Sequence, residues 1–267
     1  MRLHKSLLKP VVLLSILTFP LLAQQEREDP ERNSQAVEIL RRAMQAVGGS
    51  VALAGVHDIT EKGQIIFYWS KDVTGSTTIQ MLGANHFRLD YELQGRKTVW
   101  TLRNGFGFEH SEARTRSIPH VQAINLDNLI FPIGHPIAAI ADPLSQISFV
   151  DIEKYHGRPV YRVRLSNNLG LAAKAHIIGT TNKELIVDAV SYDIVSVEDQ
   201  PRFLAKRPTR TKHHTALRQI EYSDFRWVNG VRLPFSITIR DQGQKATTIL
   251  LDEIIFNSNL RDEDFGS

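Results

Sequence analysis

The chain has 267 residues, 42% of them hydrophobic and 23% charged, proportions that exclude collagen-like, coiled-coil and extensively disordered readings. It has no cysteine, which excludes disulfides, thiolate-bound metals, a thiol nucleophile and a lipid-modified N-terminal cysteine. A formal net charge of +3 invites a nucleic-acid or membrane-surface reading until the charge is placed along the chain.

Arg2, Lys5 and Lys9 precede an apolar run from Val11 to Leu22, the order of a secretory signal peptide. The run is shorter than the ~20 residues a spanning helix needs. Cleavage is expected after Ala23, with an uncleaved anchor as the alternative. Losing residues 1–23 removes three basic residues and leaves 29 basic against 29 acidic. A neutral mature chain gives no support to nucleic-acid binding, which depends on clustered phosphate neutralisation. The expected location is periplasmic: exported, soluble, not lipid-anchored, and with no stable membrane insertion.

Residues 24–33 read as a flexible polar leader, and a single domain is expected over 34–267. Asn33 or Ser34 can cap a helix in which Val37, Leu40, Ala43, Met44 and Val47 form one apolar face. Gly48 and Gly49 end it. A short second turn follows over residues 51–56.

From Gly63 the period changes to two. Strands are expected near 63–70, 75–82, 86–93, 97–103, 106–110, 147–152, 159–166, 173–179, 185–198, 215–227, 231–240 and 246–256, about eleven in all. In residues 86–93 Phe87, Leu89, Tyr91 and Leu93 alternate with His86, Arg88, Asp90 and Glu92, one face dry and one wet. Val163 and Leu165 oppose Arg162 and Arg164 in the same way. Leu233, Phe235, Ile237 and Ile239 oppose Arg232, Ser236, Thr238 and Arg240. In residues 63–70 both faces are apolar, Ile65, Phe67 and Trp69 against Ile66 and Tyr68, so this strand is expected to be covered on both sides. Asn229-Gly230 is the pairing that a two-residue type I′ hairpin requires; Asn104-Gly105 and Asn167-Asn168 are weaker turns. Four prolines and two apolar stretches across 119–146 suggest two short helices packed on the sheet.

No nucleophile elbow, HExxH, Walker loop, GxGxxG or EF-hand loop occurs. His213-His214 would point to opposite faces of a strand and so could not share a metal. The basic stretch 202–212 reads as an exposed loop or as a contact for an anionic surface. The rings say more. About eleven strands with about three short helices leave more apolar concave face than the helices fill, and so wide a sheet curls. A curled, incompletely plugged sheet is a site for an apolar ligand.

The signal peptide, the helix ending in Gly-Gly, the meandering strands, the Pro-broken insert, the hairpin FRWVNGVRLPF and the closing NLRDEDF together resemble the periplasmic outer-membrane lipoprotein carrier (LolA/LolB-like) superfamily. GANHFRLDY (83–91), TLRNGFGFEH (101–110) and YHGRPVYRVRL (155–165) match best. The resemblance implies a mainly β (α+β) fold: a single curved antiparallel half-barrel with a few helices covering or plugging its concave face. It also implies a cavity for lipoprotein acyl chains. The carrier has a functionally important Arg where this chain has Gly83. A lipid-sensing regulator of envelope stress shares the fold.

The expected function is a non-enzymatic periplasmic binding protein for lipoprotein acyl chains or other lipid or apolar cargo, acting as a monomer without cofactor, metal or catalytic residue. Its cavity is expected to be lined by Ile65, Phe67, Trp69, Phe87, Leu89, Tyr91, Trp100, Leu102, Val163, Phe235 and Ile237. The alternative is an envelope sensor or scaffold that uses the same fold to bind a protein partner.

Overall fold

The computed structural model describes residues 32–68, 71–83, 86–103, 106–118, 126, 129–166, 181–201 and 218–266. Helix α1, Ser34–Ala46, starts where the Asn33 side chain accepts the Ala36 N–H at 3.0 Å, which satisfies one otherwise orphaned donor of the first turn. Its buried stripe is Ala36, Ile39, Leu40 and Ala43. Just before it, Arg32 donates to the carbonyls of Ala139 and Ile140, and the Asn33 N–H donates to Ile147 O at 2.8 Å. Gly48, at φ 131°, turns the chain into α2, Gly49–Ala54.

Thirteen antiparallel strands follow in one sheet. The first six are β1 (Asp58–Tyr68), β2 (Asp72–Leu82), β3 (His86–Leu93), β4 (Arg96–Arg103), β5 (Phe106–Ser111) and β6 (Thr115–Ile118). Helix α3 (Gly134–Ala141) carries Pro136 in its first turn, where no intrahelical donor is missed. Then come β7 (Gln146–Tyr155), β8 (Arg158–Ser166), β9 (Thr181–Asp188), β10 (Ile194–Pro201), β11 (Arg218–Val228), β12 (Val231–Asp241) and β13 (Gln244–Phe256). The order across the sheet is β6-β5-β4-β3-β2-β1-β13-β12-β11-β10-β9-β8-β7. Two meanders are therefore joined along β1 and β13, with β6 and β7 as the outermost strands of a curved, open half-barrel, β7 being bridged by Arg32 at Ile147.

The strand expectations hold with instructive differences. The short β6 was not expected, and β1 begins five residues earlier than its pattern suggested. The single strand expected over 185–198 is two strands. The Asp188 carboxylate accepts the N–H groups of Val190 and Ser191 at 2.8 and 2.9 Å and reverses the chain without glycine or proline. The expected strand 173–179, the turns at 104–105 and 167–168, His213-His214 and the basic stretch 202–212 lie outside the described residues. Of the two helices expected in the insert, α3 is described. Asn229 and Gly230 have φ of 45° and 83°, as a type I′ turn demands.

Side-chain alternation puts one face of the sheet against α1, α2, α3, Leu126 and residues 129–133, all in a single buried apolar cluster. The opposite face is polar yet not simply wet. Arg162, 17% exposed, binds Glu153, Glu184 and Glu198 from three other strands. Arg88 binds Asp90 and donates to the Asp264 carbonyl at 2.8 Å. This holds the closing 3-10 turn, Asp262–Phe265, across the outer face of β3 and β4, where Phe265 is buried 5.4 Å from the His86 ring. On β1, Ile65 is fully buried, whereas Ile66 and Tyr68 are half-buried. The expected cover on both sides of this strand is thus complete on one face only, because among the described residues no second layer lies over the outer face of β1.

The end of α1 is clamped to the β11–β12 hairpin: the Arg232 N–H donates to Val47 O at 2.9 Å, and a Cβ on Gly48 would stand 2.3 Å from Gly230 O. Gly48→Ala meets both the φ restriction and that overlap, so a loss of about 2–4 kcal/mol is expected. Urea unfolding measures it. Gly83→Ala, whose Cβ meets nothing within 4 Å, serves as the control for the φ term alone.

Candidate functional site

The concave face is built by period-two alternation and by register. Pairings Ile65↔Ile249 and Ile249↔Ile237 continue one apolar row from β1 through β13 to β12. Pairings Phe87↔Leu102 and Leu89↔Trp100 set two more rows across β3 and β4. Of the residues expected in the cavity, Ile65, Phe87, Leu89, Leu102, Val163, Phe235 and Ile237 are buried in the common cluster, with Phe67, Tyr91 and Trp100 packed half-buried against it. Trp69 lies outside the described residues. The structure gathers those on β1, β3 and β4 into one patch and places Phe235 and Ile237 two strands away. Val163, on β8, is six strands from β1 in the sheet order, roughly 29 Å at the usual strand spacing. It belongs to the other wing.

One row matters most. Ile254, Glu61, Ile79, Leu89, Trp100, Glu109 and Arg116 are successive cross-strand partners from β13 through β1 to β6, and directly opposed residues share a face. Exposure rises along it. Glu61 is 0% exposed and Arg116 is 54% exposed at the side chain. At the outer end Arg116 forks onto Glu109 at 2.9 and 2.7 Å, a bidentate pair in a strong geometry. The Phe67 and Tyr91 rings lie 5.4 Å apart nearby. At the inner end both Glu61 oxygens lack a hydrogen-bond partner, as does Trp100 Nε1 in the middle. Burial alone pushes the Glu61 carboxyl well above the ordinary carboxylate range, which favours its protonated form. A neutral carboxyl amid aliphatic side chains can donate one hydrogen bond and accept others.

Glu61 was missed in the sequence because the alternation is read only from Gly63 onward. The signal that finds it is the inward alternation of Ile65 and Phe67 carried back through Gly63, which places Glu61 and Ile59 inside. His135, on α3, is also buried; burial first, and then the charge of Lys183, hold its imidazole well below its usual range and neutral.

What covers the concave face is uneven. Helices α1 and α3 supply Leu40 and Ala139, and the segment 129–133 supplies Leu129, Ile130, Phe131 and Ile133, all buried. That segment is tied by turn hydrogen bonds and by the Tyr222 hydroxyl donating to Leu129 O at 3.1 Å. An apolar cleft lined by Val47, Pro132, Ile133, Ile194, Phe225 and Leu233 beside Arg232 has room for about one water-sized guest. Among the described residues, no group of three or more His, Asp or Glu could hold a metal ion, and no helix is long and apolar enough to cross a membrane.

No family model matches the chain, and no curated protein does. Solved structures match its fold. An outer membrane lipoprotein-sorting protein domain from Vibrio parahaemolyticus is 12% identical, with a TM-score of 0.55 over 87% of this chain and 96% of that one. A DUF1329 family protein from Desulfovibrio piger is 11% identical, with a TM-score of 0.56 over 88% and 97%. A LolA superfamily protein from Nitrosomonas europaea is 10% identical, with a TM-score of 0.53 over 87% and 97%. At these identities the likeness is one of fold: the half-barrel is LolA-like.

Glu61 gives stability an unusual pH dependence. Above the ordinary glutamate pKa of about 4.3 the unfolded chain has released this proton while the folded chain retains it, so stability falls as pH rises, by up to about 1.4 kcal/mol per pH unit, until Glu61 ionises in the fold. His135 acts oppositely, costing stability as pH falls below about 6.5. Glu61→Gln removes only the first effect. Urea midpoints measured from pH 4 to 8 are expected to show the variant gaining on the parent chain steadily above pH 5. A constant difference would refute the buried, protonated state.

Proposed function

We propose that this chain is a non-enzymatic periplasmic binding protein for the acyl chains of lipoproteins, or for other lipid or apolar cargo, working by binding and handover without chemistry. In this reading residues 1–23 are a cleaved signal peptide, residues 24–33 a leader, and residues 34–267 one cargo-binding domain acting as a monomer. The observation that carries it is the cover of the concave face: buried apolar side chains on Leu126 and residues 129–133, held among the described residues by turn bonds and packing rather than by strand pairing. Such a segment is the part of the cover that a guest chain can replace. The LolA-like fold, found also in a lipoprotein-sorting domain, supports the same reading.

The energetics suit a carrier. A buried methylene contributes about 0.8 kcal/mol, so a chain of about ten supplies roughly 8 kcal/mol before association and ordering costs of at least ~4 kcal/mol. Cargo also displaces contacts that the cover already makes. The remainder permits both capture and release.

A second reading, an envelope sensor or scaffold for a protein partner, is favoured by one feature. Strand β7 is an edge of the sheet whose outer side is bridged at Ile147 by Arg32 and leaves Val150 and Ile152 exposed, a place where an added strand can pair.

Leu89→Arg is expected to cut binding of a fluorescent fatty-acyl probe at least tenfold. Lys97→Ala is expected to leave it unchanged, since this exposed outer-face side chain binds only Asp90. Circular dichroism checks that each variant folds, and mass spectrometry of the purified parent chain is expected to find co-purified lipid. Equal probe binding by both variants, with no lipid recovered, would leave the protein-partner reading.

A further inference from the structure

We infer that the Glu61 carboxyl is a polar anchor at the deep end of the concave face, and that the cargo is an apolar chain ending in a group that both donates and accepts a hydrogen bond, the simplest being a free fatty acid. This rests on the reading of the concave face as a cargo site and deepens it by naming the chemistry of the buried end.

Three observations carry it. Glu61 has no solvent exposure and neither oxygen has a hydrogen-bond partner. Its cross-strand neighbours, Ile79 and Ile254, offer none, and Ile59, two residues earlier on the same face, is equally apolar. It also occupies the innermost polar position of a row that leads past Leu89 and Trp100 toward the β6 edge, so a chain anchored here has an apolar track to lie along. The Trp100 N–H, likewise unpartnered, stands on that track.

Packing does not account for the residue. An apolar side chain of similar size would fill the position between Ile79 and Ile254 without leaving a donor and an acceptor unmet, and unmet buried polar groups are rare in folded proteins. The carboxyl therefore lowers stability in the empty protein and is explained by a ligand that satisfies it. A protonated carboxyl presents one O–H and one carbonyl oxygen side by side. A second protonated carboxyl matches both, its O–H donating to the Glu61 carbonyl oxygen and its carbonyl oxygen accepting the Glu61 O–H. Both acids stay neutral and no bond breaks. An ester can only accept, so it leaves one Glu61 oxygen unmet.

The test uses dodecanoic acid and methyl dodecanoate as competitors against a fluorescent acyl probe at pH 5.5, with the full mature chain. The parent chain is expected to bind the acid at least tenfold more tightly than the ester. Glu61→Leu is expected to lose that preference while binding the ester undiminished, and Glu61→Gln, whose carboxamide still donates and accepts, to keep most of it. Thermal unfolding checks the Leu variant, which is expected to melt at or above the parent. An absent preference in the parent chain, or one that survives in the Leu variant, overturns the anchor while cargo binding stands. Failure of both compounds to bind the parent overturns the cargo reading as well.

Discussion

Everything distinctive about this molecule follows from one topological constraint. Two antiparallel meanders meet along β1 and β13, so the strands that end the first meander and begin the second, β6 and β7, are the opposite outermost strands of one sheet. The connection between them must traverse its full width. A curled thirteen-stranded sheet offers two routes, and the concave one buries apolar residues. Leu126, Leu129, Ile130, Phe131 and Ile133 make up the described apolar part of that crossing, and their burial, together with α1 and α3, completes the core. The described part of this connection before α3 covers the concave face without the ladder hydrogen bonds that make strands hard to displace.

The same geometry explains where polarity is tolerated. On the outer face, charges occur in partnered groups: Arg162 among three glutamates, Arg240 and Tyr155 on Glu221, Arg88 on Asp90 and the closing turn. Each carboxylate there has cationic or hydroxyl partners that offset its partial burial, and the net effect on the Glu184 and Glu221 carboxyls is a lowered pKa despite burial. On the inner face Glu61 has burial without partners, and its pKa moves the other way. Two glutamates on one sheet thus differ in charge because they point in opposite directions through it.

Much of the fold was legible because strands with one dry face announce themselves. Alternation placed Phe87, Leu89, Val163, Leu233 and Ile237 inside, and the Asn33 cap and Asn229-Gly230 turn were read from local chemistry alone. Three further two-residue reversals, Gln94-Gly95, His156-Gly157 and Gln242-Gly243, share the positive φ pattern but begin with residues not usually associated with it. The reversal at Asp188 depends on a side-chain acceptor, which spacing does not reveal. The site was less legible for a different reason. The rings and aliphatic residues were found because they repeat. Glu61 was not found, because a charged residue type gives no sign in sequence of being neutral. The outer-face role of Arg88 depends on Asp264, 176 residues away.

In the proposed cargo reading, the burial of Ile79 and Leu89 in one apolar cluster bears on how a guest would load. A permanently empty apolar hollow lined by Ile79 and Leu89 would forfeit dispersion contacts on every wall. Filling that face with a replaceable part of the same chain keeps the empty protein closed to water. It also reduces the net gain on loading, because each methylene of cargo replaces one already buried. Affinity then depends on what the cover cannot supply. On β1 and β4, the unsatisfied buried groups of the inner face are Glu61 and the Trp100 N–H, so in the proposed cargo reading discrimination between one apolar chain and another falls to these polar positions and not to the apolar area around them.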